Sequence, residues 1–277
     1  MNISVVIPTH NRVHTLSRAL DSVLAQESSA TEIIVVDDGS NDGTDLVLRD
    51  RYSGVRVLYQ QQKGVSAARN RGIRAAAGEW IALLDSDDAW LPTKLATQTR
   101  LLRNHPGHRL CHTDEIWIRN GVRVNPMNKH AKAGGNIFRA CLPRCVISPS
   151  SAVIHRSVFD DIGLFDEKLP ACEDYDLWLR VCSREPVLFV DTPQIVKYGG
   201  HDDQLSRRYW GMDRFRVEAL EKLLTNGILD DETRAATAAA LAEKARTLAT
   251  GADKRGNTEM AARYRRLQRR HGPESAK

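Results

Sequence analysis

Leu83-Leu84-Asp85-Ser86-Asp87-Asp88-Ala89-Trp90 is an apolar run that stops abruptly at three carboxylates. The stretch leading into it, Trp80-Ile81-Ala82-Leu83-Leu84, is continuously apolar, the pattern of a parallel strand covered on both faces. A sheet built from such strands binds ligands outside its strands' carboxyl ends, so the acids are expected to stand beside a ligand. Asp85 and Asp87 are two residues apart, and in extended backbone their side chains project to the same side, where they are able to share one hard divalent cation. Asp88 points elsewhere. Acids after a strand also serve as helix caps, so this stretch alone leaves both readings open.

The same pattern occurs upstream. Ile3 to Ile7 reads as a short β-branched strand closed by Pro8, and Val13, Leu16, Leu20, Val23 and Leu24 then recur at helical spacing. The turn between them, Pro8-Thr9-His10-Asn11-Arg12, is rich in hydrogen-bonding groups where a nucleotide would lie, although Thr9 or Asn11 equally suits a helix N-cap. Glu32 to Val36 is a second strand ending in acids. A carboxylate at Asp37 or Asp38 is able to accept the imide N3–H of uracil, whereas Asn41 to Thr44 reads as an Asx turn with an N-cap. Val55 to Tyr59 gives a third strand, and the alternation of strand and helix predicts a doubly wound α/β sheet. From Lys63 to Ile73 the spacing predicts a helix with glycine at its start, small residues for close packing, and Lys63, Arg69 and Arg71 beside an N-terminus suited to anions. No G-x-G-x-x-G follows the first strand and no G-x-x-x-x-G-K-[ST] occurs anywhere, which excludes the ordinary dinucleotide and P-loop sites.

Further along, Ala171-Cys172-Glu173-Asp174-Tyr175-Asp176-Leu177-Trp178-Leu179-Arg180 opens a helix on acids. Asp176 and Arg180 stand at i, i+4 and suit a salt bridge. Asp174 shares its face with Leu177 and Trp178, so its carboxylate is expected to be partly desolvated and a better proton acceptor.

Val6-Ile7-Pro8-Thr9-His10-Asn11-Arg12, Val36-Asp37-Asp38-Gly39-Ser40, Gly64 to Gly72 and Leu84-Asp85-Ser86-Asp87-Asp88 follow one another in the order and at the distances typical of glycosyltransferase family 2. Residues 1–205 resemble that family. The resemblance implies the GT-A fold, a Rossmann-like doubly wound mixed sheet, with residues 206–277 as a C-terminal helical appendage. It implies that Pro8, Thr9 and Arg12 line the nucleotide, that Asp38 reads the base, and that Arg69 lies near the nucleotide. It further implies that Asp85 lies near the ribose or the metal shell, that Asp87 holds Mn²⁺ or Mg²⁺, that His201 completes the shell, and that Asp174 is the catalytic base. The implied reaction is an inverting, metal-dependent transfer of a sugar from a nucleoside diphosphate sugar, UDP-linked, to a hydroxyl of a glycan or lipid-linked glycan. Two rivals are a sugar-nucleotide pyrophosphorylase, which would carry a G-x-G-T-R-L type loop after strand one, and a non-catalytic nucleotide-binding scaffold. The first lacks its loop here, and intact Asp85, Asp87, Asp174 and His201 weigh against the second.

The remainder sets bounds. With 277 residues, 42% apolar and 27% charged, the chain is long enough to bury its own core. A net charge of +5 suits phosphate ligands but is too mild to argue for nucleic acid. Five cysteines without C-x-x-C spacing read as reduced core thiols. No basic leader or run of roughly 20 apolar residues occurs, so a cytoplasmic chain that meets membranes only peripherally is expected. Arg109 to Ile118 reads as a strand with a hairpin at Arg119-Asn120-Gly121, Lys129 to Gly135 as a mobile polar loop, and Val187 to Val190 and Gln194 to Tyr198 as two closing strands. In the last helix, Arg263, Arg265, Arg266, Arg269 and Arg270 accompany Met260, Tyr264 and Leu267 on one face. That pattern fits either a solvated basic face or contact with anionic lipid or a lipid-pyrophosphate acceptor.

Overall fold

Every residue of β1 (Ile3–Thr9) is buried, because its alternate side chains enter two different cores. Val5 and Ile7 pack with Leu16, Leu20 and Val23 of α1 (Val13–Leu24), while Val6 packs on the other face with Ala68 and Ile73 of α3 (Val65–Ala75). The computed structural model describes residues 1–125, 127, 130–200 and 209–272. In it, β2 (Glu32–Asp37), β3 (Arg56–Tyr59) and β4 (Trp80–Leu83) run parallel to β1 in the order β3-β2-β1-β4. α2 (Thr44–Arg51) crosses from β2 to β3 on the α1 side. Pro8 sits inside β1 without harm. Val6 O accepts from Leu84 N, so the backbone groups of Val6 and of Pro8 two residues on face β4, which ends at Leu83.

Beyond β4 the sheet becomes mixed. β8 (Val153–His155) is antiparallel to β4, β6 (Leu110–Arg119) is antiparallel to β8, and β9 (Leu188–Gly199) is parallel to β6 and carries β5 (Ala89–Trp90) at the edge. β7 (Val122–Val124) pairs with β6 through the expected hairpin, whose Asn120 and Gly121 take φ of 49° and 77°. α4 (Lys94–Asn104) packs on the α1 face, and α5 (Phe138–Cys141) and α6 (Arg156–Ile162) on the other. All five cysteines are free thiols.

Three expectations are corrected. The two closing strands are one, because Asp191-Thr192-Pro193 makes a register shift against Thr113 and Asp114 instead of ending the strand. β5 was not foreseen, being only two residues long. The segment before Gly135 is anchored, since Lys132 pairs with Glu115 at 2.6 Å and Gly135 exchanges both backbone hydrogen bonds with Val187.

The C-terminal part is helical: α8 (Asp213–Thr225), α9 (Asp231–Lys254) and α10 (Thr258–His271). Phe215, Ala219, Leu220 and Leu223 of α8 share a core with Tyr175, Trp178 and Leu179 of α7 (Glu173–Cys182). Met260, Tyr264 and Leu267 of α10 pack inward against Ala245, Leu248 and Ala249 of α9.

α3 lies close on β1 because Gly72 has no side chain, and a Cβ there would stand 2.4 Å from Val6 Cγ1. Gly72→Ala is therefore expected to cost about 1–3 kcal/mol in urea denaturation, the range for overpacking. Gly54→Ala, which meets nothing within 4 Å, is the control and should stay within about 0.5 kcal/mol of the native chain.

Candidate active site

The carboxyl ends of β1, β2 and β4 lie along one edge of the sheet, as parallel pairing requires, and bring three loops together. Asn11, at φ 51°, ties the first two: its N–H donates to Ser40 Oγ at 2.9 Å and its Oδ1 accepts from Asn41 N at 2.8 Å. Asp42 caps two helices at once, with Oδ2 accepting from Val13 N at 2.9 Å and Oδ1 from Thr44 N at 3.1 Å. The caps offered for α1, Thr9 and Asn11, are thus not the ones used. Thr9 Oγ1 is buried and has no partner among the described residues.

Asp38 is 4% exposed and holds the start of α3. It accepts from Gln60 Nε2 at 2.7 Å, Lys63 N at 2.8 Å and Gly64 N at 2.7 Å. The backbone donors that lead into α3 are thus taken up by a residue of this chain, and Arg69, expected beside that terminus, turns instead to Asp85 and Glu173.

Arg69 joins the edge to a distant segment. The residue is 3% exposed, and its guanidinium donates to Asp85 Oδ1 and to Glu173 Oε1, each at 2.6 Å, with Phe165 against its face. Burial alone would lower its affinity for the proton, but the Asp85 and Glu173 charges outweigh that and raise it. Glu173 is held above the usual carboxylate range by burial and by the adjacent Asp174 charge, against the pull of Arg69. One guanidinium thus spans from the acidic loop after β4 to the first turn of α7. Asp174, the next residue, has its carboxylate fixed by Tyr175 N at 2.7 Å and the Cys145 thiol at 3.2 Å. The predicted Asp176–Arg180 pair is present at 2.8 Å.

Asp87 accepts from Arg12 Nη1 at 3.2 Å on one oxygen, and its carbonyl accepts from Arg18 Nη2 at 2.6 Å. Asp88 turns away into the sheet, taking Ser150 Oγ at 2.6 Å and Tyr198 N at 3.3 Å. Beneath lies a second polar group. Glu115 accepts from Lys132, Ser148 and Trp117 and is pushed down to about 2, because Lys197 and Lys132 overcome the opposing effect of burial.

Pro8, Thr9, Arg12, Asp38, Arg69, Asp85 and Asp87 thus line one edge, and Arg69 connects that edge to the turn bearing Asp174. His201 lies outside the described residues. Two cavities of about 310 and 330 Å³ lie elsewhere, beside Arg100 and beside Arg184, so they do not mark this edge. Sequence reasoning missed Glu173, Glu115, Lys132, Ser148 and Lys197. A usable signal existed for Lys197, which alternation places on the same strand face as the buried Ile195.

A family model described as "Glycosyl transferase family 2" matches residues 4–163, and one described as "Glycosyltransferase like family 2" matches residues 136–226. The chain belongs to glycosyltransferase family 2. An uncharacterized glycosyltransferase of Rickettsia felis is 31% identical over 74% of this chain, but this match spans only 35% of that protein's length. The Escherichia coli protein named UDP-Glc:alpha-D-GlcNAc-diphosphoundecaprenol beta-1,3-glucosyltransferase WfgD is 31% identical over 65% of this chain and 69% of its own. Residues 1–349 of TarS from S. aureus, solved with UDP-GlcNAc, superpose with a TM-score of 0.65 at 18% identity, covering 98% of this chain and 92% of that one. The family's GT-A fold is thus the fold of this chain.

Removing the bridge should be costly. Arg69→Met leaves the buried Glu173 and the half-buried Asp85 unpaired and is expected to lose about 3–5 kcal/mol in urea denaturation. Adding Glu173→Gln should return about 1 kcal/mol or more relative to the sum of the single changes, whereas simple additivity would deny the coupling.

Proposed function

We propose that this chain transfers a sugar from a UDP-linked donor, with inversion, to a hydroxyl of a lipid-linked glycan, and that a divalent cation assists. The observation carrying this reading is the Arg69 fork, which fixes the acidic loop after β4 and the turn bearing Asp174 to each other at 2.6 Å on either side. Donor and acceptor chemistry is supported by the printed name of the E. coli relative, which describes a UDP-Glc donor and a GlcNAc-diphosphoundecaprenol acceptor.

Pro8, Thr9 and Arg12 would line the nucleotide. Asp38 has about four lone-pair sites and three donors, which leaves one for the imide N3–H of the base. Asp87, with Asp85 beside it, offers hard carboxylate oxygens. A hard cation such as Mg²⁺ is bound through one or two carboxylates plus substrate phosphates and water, so Asp87 and Asp85 would suffice to hold it. His201 would add a ligand from outside the described residues. When bound, the cation supplies positive charge to the diphosphate.

Asp174 is the base. The acceptor oxygen bonds to the anomeric carbon, the carbon–oxygen bond to the diphosphate breaks with its electron pair going to the phosphate oxygen, and Asp174 takes the acceptor proton. A single displacement needs one base and inverts the centre. The Cys145 and Tyr175 contacts aim the carboxylate, limiting the orientations it must search.

No helix among the described residues is long and apolar enough to cross a membrane. The apolar side of α10 is used inside the protein, so its exposed arginines meet an anionic surface by charge alone.

Asp174→Asn should retain nucleotide binding by calorimetry while donor turnover falls by ~100-fold or more; near-native turnover would remove Asp174 from the role. Cosedimentation with anionic vesicles should fall as salt rises and with Arg266→Glu plus Arg269→Glu, as expected of screened charges. Salt-insensitive binding would point to insertion instead.

A further inference from the structure

Lys197, on β9, is a cation that no carboxylate among the described residues contacts directly. Its ammonium carries three N–H donors and, among the described residues, gives one hydrogen bond, to Ser148 Oγ at 3.1 Å, and no ion pair. The carboxylates whose charges it feels are Glu115, Asp88 and Asp85, and each is committed elsewhere. Glu115 holds Lys132, Ser148 and Trp117, Asp88 holds Ser150 and the Tyr198 N–H, and Asp85 holds Arg69.

Its position is equally specific. The groups acting on it include Asp85, on the acidic loop, and the Cys145 thiol, which itself contacts Asp174. Its chain neighbours hold it beside the acidic loop, because Val196 pairs with Ala89, which directly follows Asp88, and Tyr198 N donates to Asp88 Oδ1 at 3.3 Å. Burial would weaken its hold on the proton, but the surrounding carboxylates overcome that and keep it an ammonium.

We propose that the Lys197 ammonium is an anion subsite for the diphosphate of the donor nucleotide. This rests on the glycosyl-transfer reading and assigns it a residue which that reading does not use. As the anomeric carbon–oxygen bond breaks, the electron pair passes to the diphosphate oxygen, and a fixed ammonium held away from water stabilises that growing charge without giving up a proton. Its two remaining donors suit phosphate oxygens, and a compact ammonium needs no bidentate geometry to bind them.

Calorimetry on the full chain, with and without Mn²⁺, tests this with UDP, GDP and TDP against UMP, GMP and TMP, for the native protein, Lys197→Met and Lys197→Arg. Lys197→Met should weaken the preferred diphosphate by about tenfold to a hundredfold, the range for one charge-assisted hydrogen bond. The matching monophosphate should change by no more than about twofold. Lys197→Arg should recover part of the loss, and donor kcat should fall more in the Met variant than in the Arg variant. Equal weakening of both nucleotides together with a lowered melting temperature would show a structural lysine and overturn the subsite. Unchanged diphosphate binding, with weakened use of an acceptor that carries its own diphosphate, would overturn it in favour of the acceptor. If the native chain binds no nucleoside diphosphate, the transfer reading fails first and the subsite fails with it.

Discussion

The edge of this sheet depends on a buried guanidinium with a carboxylate on each side. Arg69 reaches Asp85, 16 residues away, and Glu173, 104 residues away, so one side chain decides how the first and last thirds of the folded core meet. Buried ion pairs are weak sources of stability, because desolvation consumes most of the Coulomb gain. The arrangement is better understood as positional: a rigid planar fork defines both carboxylate positions, and a lysine would define neither. Its depth is set in turn by α3, which lies on β1 at Gly72.

Around that fork the two halves of the edge are built differently. On the β1 and β2 side the loops are held by backbone donors and short polar side chains, with Asp38 fastening α3 and Asp42 capping α1 and α2. The contacts of Asp38 and Asp42 span at most 29 residues of chain, and they help make that side rigid. On the β6 and β9 side the polar groups are buried charges, Glu115 of β6 with Lys132 of the segment before Gly135, and Lys197 of β9 near them. A low-dielectric setting makes each charge there consequential, so whether every cation has a partner bears on function as well as on stability.

The same division explains what could be read from the sequence. Unbroken apolar runs such as Ile33-Ile34-Val35-Val36 and Ile81-Ala82-Leu83-Leu84 require burial on two faces, and the acids placed directly after them fall at the carboxyl edge. Those features are local, and the parallel half of the sheet follows from them. Glu173 was visible only as one of two acids at a helix start, because nothing nearby in sequence indicates that Arg69 will meet it. Lys132 read as an ordinary loop lysine because nothing in the sequence marks Glu115, 17 residues earlier on β6, as its buried partner. β9 was divided at Pro193 since proline usually ends a strand, and only the pairing with β6 shows that a register shift absorbs it.

Compositional change near residue 205 suggested that everything beyond it is an addition to the fold, yet α8 is tied to the helix that carries Asp174. Lys222 pairs with Asp176 at 2.8 Å, the Arg216 guanidinium lies 5.9 Å from the Tyr175 ring, and Cys172 Sγ reaches the Met212 carbonyl at 3.7 Å. These contacts bracket Asp174 on both sides along α7. The family match agrees in extent, since it runs to residue 226, one residue past the end of α8, and leaves α9 and α10 outside. A carboxylate that must stay aimed across a displacement needs its helix held from behind as well as from the sheet. On that argument α8 belongs with the fold that aims Asp174, and α9 follows it there, since Leu241 is buried in the same core and Lys244 donates to the Pro143 carbonyl at 2.9 Å.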